Sequence, residues 1–120
     1  MRILGLLKAN EETEAGVPPS PELIERMGVF VEEVQKAGVL LDTAGLTPSA
    51  QGKRVRLADG KVSVIDGPFR ESNELNSAYA VYQVDSMDEA IRWTTRFLEV
   101  LGQGECELRP IFDEADFAPQ

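Results

Sequence analysis

Hydrophobic positions along this chain follow two different periods, and the change of period separates predicted strands from predicted helices. Apolar side chains on both faces of residues 1–8 predict a buried strand. Residues 10–19 are polar and contain two prolines, which predicts a loop. Ser20 and Pro21 are typical of a helix start. An apolar stripe at helical spacing follows at Leu23, Met27, Phe30, Val31 and Val34, and Gly38 is the expected stop.

The second half of the chain predicts a hairpin, a helix and three further strands. A strand is predicted at 39–43, and the runs 54–57 and 61–65 flank Asp59-Gly60, which favours a type I′ hairpin turn. Strands are also predicted at 78–84 and at 105–112, where Pro110 indicates an edge position or a bulge. A helix between them begins with the capping-box residues Ser86 and Glu89. Its buried side is expected at Ala90, Ile91, Thr94, Phe97, Leu98 and Leu101.

This order of elements predicts one α+β domain over residues 1–120, a ferredoxin-like sandwich with an added β-hairpin. Two helices can cover only one face of such a sheet, yet the strands at 1–8 and 78–84 are apolar on both sides. We therefore expect a homodimer that packs sheet against sheet.

Composition narrows the possible functions. The 120 residues include 12 Lys and Arg against 21 Asp and Glu, a net charge of −9, which argues against a nucleic-acid partner. No apolar run approaches the ~20 residues of a membrane span, and the single cysteine, Cys106, favours the cytoplasm. The absence of histidine removes the usual catalytic triads and the commonest zinc ligand. We predict neither a cofactor nor a metal, and the acidic residues Glu11, Glu12 and Glu14 are interpreted as solvated.

The tetrapeptide Asp66-Gly67-Pro68-Phe69 is the most distinctive local feature. Glycine and proline predict a sharp turn, within which Asp66 could accept hydrogen bonds from nearby backbone amides. Alternatively, the Asp66 carboxylate faces a cleft, where it could anchor a ligand or act as a general base. The sequence leaves both interpretations open.

In this motif and several others, the sequence resembles the YCII-related family, in the branch named for its DGPF motif. The resemblance also covers Ser20-Pro21-Glu22, Pro48-Ser49-Ala50, Asp59-Gly60-Lys61, Glu71 and the capping-box helix. It implies a dimeric α+β barrel of ferredoxin-like subunits, with relatives that include small-molecule enzymes or are linked to sigma factors. Relatives outside this branch are thought to use a His-Asp pair, and without histidine Asp66 would stand alone.

The remaining candidates for the site are a few cations and one tyrosine. Arg54 and Arg56 share a strand face and could bind a carboxylate or phosphate, although with Lys53 they more readily pair with surface acids. Tyr79 could line a pocket and hydrogen-bond a ligand near the motif, although core packing is the favoured interpretation. Cys106 is interpreted as an inert buried residue.

The leading functional hypothesis is a small-molecule-binding or accessory protein, with a cleft bordered by Asp66, Gly67, Pro68 and Phe69. One alternative is a carboxylate-dependent lyase or isomerase, in which Asp66 moves a proton while Tyr79 or Arg54 stabilises charge. A second alternative, implied by the resemblance only, is an interaction module linked to a sigma factor.

Overall fold

The computed structural model describes residues 1–70 and 74–117. Glu71, which contributes to the family resemblance, lies outside these residues. The described part contains three α-helices, six strands and two short 3₁₀ helices. In chain order the helices and strands are β1 (Arg2–Lys8), α1 (Glu11–Glu14), α2 (Pro21–Lys36), β2 (Leu40–Gly45), β3 (Lys53–Ala58), β4 (Lys61–Asp66), β5 (Asn76–Gln83), α3 (Met87–Leu101) and β6 (Cys106–Pro110).

Four of the strands form one antiparallel sheet in the order β2-β5-β1-β6. Its centre is Gly5 of β1, which pairs with Ala80 of β5 on one side and with Leu108 of β6 on the other. The mixed α+β architecture and this strand order are consistent with the predicted ferredoxin-like fold. The predicted edge position of the last strand is also confirmed, because β6 pairs with β1 alone in this sheet.

Local capping signals fix where the long helices begin. The Ser20 hydroxyl accepts a hydrogen bond from the Leu23 amide at 3.1 Å, and the Ser86 hydroxyl accepts one from the Glu89 amide at 3.1 Å. The reciprocal half of the predicted capping box differs, since the Glu89 carboxylate accepts from the amide of Asp85 instead of that of Ser86. No helix in the described ranges is long and apolar enough to cross a bilayer.

The core lies between α2, α3 and one face of the four-stranded sheet. Its buried apolar members are Ile3, Phe30, Val34, Val39, Tyr82, Val84 and Ala90. The predicted stripe of α2 is confirmed at Phe30 and Val34. On α3 the expectation for Ile91 is wrong, because this side chain is 47% exposed.

The polar segment before α2 is also more ordered than its composition predicts. The Asn10 side chain accepts from the Thr13 amide at 2.9 Å, and the Thr13 hydroxyl accepts from the Asn10 amide at 2.8 Å. This reciprocal cap begins α1, a single helical turn. The helix brings Glu14 to the site described below.

The opposite face of the sheet carries no helix. Strand alternation places Leu4 and Leu6 of β1 and Val81 of β5 there, since Ile3 and Gly5 point into the core. Leu4, Leu6 and Val81 are hereafter called the open sheet face. In a single chain they are only partly covered.

Strands β3 and β4 form a separate hairpin, residues 53–66, hereafter called the arm. Asp59 and Gly60 have φ angles of 51° and 75°, and positive values at both central residues are what the predicted type I′ turn requires. All four large apolar side chains on one arm face are well exposed. The radius of gyration, 16.7 Å, exceeds the roughly 13.6 Å of a compact chain of this length.

Candidate functional site

The Asp66–Phe69 segment forms a tight turn against the 3₁₀ helix at Ser49–Gln51. The Gly67–Pro68 peptide bond is cis, and the Gly67 amide donates to the carbonyl oxygen of Gly52 at 3.0 Å. A Cβ atom at Gly67 would overlap the carbonyl oxygen of Ser49 and would lie 2.7 Å from its carbonyl carbon. Only glycine therefore fits this position without displacing backbone.

Ser49 connects the turn to the far side of the site. Its amide donates to the Glu14 carboxylate at 3.0 Å, and its hydroxyl donates to the other oxygen of the same carboxylate. The Ser49 hydroxyl oxygen also accepts from the Phe69 amide at 3.1 Å. A chain of hydrogen bonds from Glu14 through Ser49 to Phe69 thus holds one end of the turn, and Gly52 holds the other end through the Gly67 amide.

Hydrogen bonds from Ser49 stabilise the ionised form of the Glu14 carboxylate. The hydrogen bond from the Ser49 hydroxyl, followed by that from the Ser49 amide, lowers the pKa of Glu14 below its usual value of 4.5. Glu14 is therefore an anchor of the turn, and its interpretation as a solvated acid is wrong.

The Phe69 ring contacts the arm. The Arg54 guanidinium stacks over it, with Cζ at 4.0 Å from the ring centroid, a cation–π arrangement. Arg54, predicted as a site residue, is therefore in contact with the motif. Arg56 lies two residues further along the same face of the arm.

Asp66 is the last residue of β4, and its carboxylate is exposed. The carboxylate pairs with the ammonium of Lys53, its cross-strand neighbour, and 74% of the Asp66 side chain remains accessible. The Gly67 and Phe69 amides donate to Gly52 and Ser49 instead, and Pro68 has no amide hydrogen. The Asp66 carboxylate therefore does not serve as acceptor for these amides of its own turn.

Tyr79 has its polar contact elsewhere in the sheet. Its hydroxyl donates to the Asp42 carboxylate at 2.9 Å, which joins the neighbouring strands β5 and β2. This hydrogen bond is the main cause of the raised pKa of Tyr79, because the neutral phenol is the form that donates. None of the polar contacts described for Tyr79 reaches Asp66, Gly67, Pro68 or Phe69.

Two concave features lie away from the motif. A cavity of about 20 Å³ between the sheet and α3 is bordered by Tyr82, Thr94 and Cys106, and burial raises the pKa of the Cys106 thiol. A larger apolar groove of about 700 Å³ follows α2 and includes Leu23, Ile24 and Met27. In residues 1–70 and 74–117, no three His, Cys, Asp or Glu side chains cluster as a metal site would require.

The sequence did not predict the roles of Glu14 and Ser49, nor did it predict that Lys53 pairs with Asp66. The pairing of Lys53 with Asp66 follows from the hairpin register, since a two-residue turn at Asp59-Gly60 places these residues opposite each other. No comparable signal joins Glu14 to Ser49, because 35 positions separate them in sequence.

The contact of Gly67 with Ser49 yields a stability prediction. Gly67→Ala should lower the free energy of unfolding by about 1–3 kcal/mol, because the new methyl group must displace packed backbone. Gly45→Ala is the matched control, since no atom lies within 4 Å of a Cβ at that position. Urea denaturation of both variants measures the difference, and equal stabilities would contradict the close packing of the turn.

The Glu14 anchor yields a prediction that depends on pH. Since folding lowers the pKa of Glu14 from 4.5, its contribution to stability is present above that pH and disappears as pH falls through the lowered value. Glu14→Gln should therefore lower the Tm at about pH 7, with a smaller difference from wild type at about pH 3. Glu12→Gln on the same helical turn is the control, and a pH-independent difference for Glu14→Gln would count against the anchor.

Comparison with known proteins gives a family and a fold. A search of curated proteins finds no significant match. A solved structure of similar fold is 5-chloro-2-hydroxyhydroquinone dehydrochlorinase from Burkholderia phenoliruptrix, in complex with 2,5-dihydroxybenzoquinone. It is 9% identical with a TM-score of 0.52, covering 97% of this chain and 98% of that one, which shows the fold alone.

The family model of the YCII-related domain matches residues 1–115, which includes all six strands, the three α-helices and the Asp66–Phe69 turn. This chain belongs to the YCII-related domain family.

Proposed function

We propose that this protein binds a small organic molecule in a cleft bordered by Asp66–Phe69. We also propose that it acts as a homodimer and belongs to the DGPF branch of its family. One observation supports the binding site. The Gly67 and Phe69 amides are satisfied by Gly52 and Ser49, so the turn does not use the Asp66 carboxylate as their acceptor. The Asp66 carboxylate is therefore not needed by these amides, and the turn that carries it is held firmly. Such a carboxylate is well placed to bind a ligand.

The chemistry of the turn favours a ligand with hydroxyl or cationic groups. An ionised carboxylate only accepts hydrogen bonds, and charge-assisted bonds to it are among the strongest in proteins. The ion pair of Asp66 with Lys53 is an exposed one, worth about 0–1 kcal/mol, so a ligand can displace the lysine at little cost. The related fold holds a small hydroxylated quinone in the dehydrochlorinase, which supports small-molecule binding as the general role.

Binding is favoured over proton transfer by the exposure of Asp66. A general base commonly lies in a partly desolvated cleft, where its pKa is shifted toward the working pH. In a single chain the Asp66 side chain is 74% exposed and paired with a cation. The proposal is therefore a binding protein, and a carboxylate-dependent lyase or isomerase is the second candidate.

The homodimer is proposed from the open sheet face. Leu4, Leu6 and Val81 lie on the side of the sheet that has no helix, where a second copy of the same sheet would cover them. Polar pairs border this apolar strip on both sides, Tyr79 with Asp42 and Glu107 with Lys8 and Arg109. An apolar centre with a polar rim is the usual anatomy of a stable interface.

The ligand proposal can be tested with one pair of variants. Small molecules that raise the Tm, from a panel of amines, phenols and quinones that includes 2,5-dihydroxybenzoquinone, are taken to calorimetry. Asp66→Asn should raise the Kd of each binder at least about tenfold, a loss of about 1.4 kcal/mol. Asp59→Asn removes the same charge at the hairpin turn, where asparagine also adopts positive φ, and should leave the Kd within about twofold. Unchanged affinities in folded Asp66→Asn would sink the site assignment.

The dimer proposal has a direct hydrodynamic test. Sedimentation equilibrium at about 10 µM should give twice the mass of the 13.2 kDa chain, because covering the open sheet face stabilises the paired state. A monomer at that concentration would contradict this part of the proposal.

A further inference from the structure

The arm carries an apolar face that its own chain leaves open. Cross-strand pairs align Val55 with Val64 and Leu57 with Val62 on one face, and these four side chains are between 57% and 71% exposed. They are hereafter called the apolar arm face. Arg54, Arg56 and Ser63 lie on the opposite face. A projecting hairpin with four large apolar side chains exposed side by side on one face is unusual for a free surface and typical of an interface.

We propose that the apolar arm face packs against a second copy of this chain and that this contact closes the cleft over Asp66. Charge complementarity favours a second copy of this chain as the occupant. The arm holds four of the twelve Lys and Arg residues but only two of the twenty-one acids. The rest of the chain then holds eight cations against nineteen acids, so an arm whose cations lie mainly behind its apolar face is attracted to the acidic body of a second copy.

The same chain also offers surfaces of matching polarity. The groove along α2 is lined mainly by apolar side chains, with Glu32 as the charged residue of its lining. The open sheet face is also apolar, but in the proposed homodimer the second copy of the sheet covers it. The four side chains of the apolar arm face are exposed, so this face does not cover these surfaces in its own chain. In a symmetric dimer each contact occurs twice, which doubles the area that one short arm can bury.

The position of Asp66 links this contact to the proposed site. Side chains alternate along a strand, so Asp66 lies on the same arm face as Val64 and Val62, one cross-strand pair beyond the apolar ones. Neither the cavity under α3 nor the α2 groove is lined by the Asp66–Phe69 turn. A second copy packed on the apolar arm face would supply the wall that the turn lacks in one chain. This step rests on the proposed function.

Adjacent residues of β4 provide a matched test of the contact. Val64→Asp and Ser63→Asp add the same charge on opposite faces of the arm. Val64→Asp should raise the dimer Kd at least about tenfold, because it places a carboxylate in an apolar contact, and Ser63→Asp should change it less than about threefold. Val64→Thr keeps the β-branched shape and should weaken the dimer several-fold even if Val64→Asp fails to fold. Equal dimer Kd values for Val64→Thr and Ser63→Asp, or a wild-type chain that stays monomeric at about 100 µM, overturn the proposal.

Ligand affinity separates this inference from the proposed function. Asp66→Asn should lose ligand affinity while its dimer Kd stays within about threefold of wild type. The arm variant Val64→Thr should lose affinity at low protein concentration and recover it where the dimer re-forms. If monomeric Val64→Thr binds as well as wild type, closure of the cleft is wrong while the Asp66 site stands. If Asp66→Asn binds the ligand with wild-type affinity while Val64→Thr still weakens the dimer, the site assignment is wrong and the arm contact stands.

Discussion

The close approach of Gly67 to the carbonyl group of Ser49 is the constraint on which the site depends. It permits only glycine, and it places the turn where the Ser49 hydroxyl can accept from the Phe69 amide. Glu14 holds Ser49 by two further hydrogen bonds. The Gly67 amide donates to Gly52 and the Phe69 amide to Ser49, so neither requires the Asp66 carboxylate, which lies at the surface. The Asp66–Phe69 motif is thus a turn with a well-fixed backbone, and its one charged side chain, Asp66, faces solvent.

Features set by neighbouring residues were the ones that the sequence could predict. Ser20 and Ser86 cap their helices as expected, because a cap joins residues only three positions apart. The Asp59-Gly60 turn fixes the arm and its register, and Asp66 is thereby paired with Lys53. The apolar residues on both faces of β1 likewise predicted one face toward the core and one that no helix covers. Each of these features is decided within a single element or across one turn.

The anchor of the turn could not be predicted because it joins segments that are distant in sequence. Glu14 lies in a polar stretch that composition assigns to a loop, and its partner Ser49 begins the short 3₁₀ helix between β2 and β3. The short helix α1, which positions Glu14, depends on a reciprocal cap between Asn10 and Thr13 that has no apolar pattern to accompany it. Tyr79 differs from Glu14 because it was predicted to be a site residue. In the structure its hydroxyl contacts Asp42 across the sheet and not the Asp66–Phe69 turn.

The arm and the open sheet face both leave apolar side chains uncovered, which favours association of two copies. Asp66 lies beside the apolar arm face and so links association to the proposed ligand site. Both surfaces are apolar in an otherwise strongly acidic chain, and Asp66 borders the arm contact. The most direct measurement is a crystal structure of the protein grown with a small molecule that raises its Tm. Our account predicts the apolar arm face against a second copy, with a hydroxyl or cationic group of the ligand within hydrogen-bond distance of the Asp66 carboxylate. An arm face open to solvent, with Asp66 still paired to Lys53 and the ligand bound elsewhere, would contradict it.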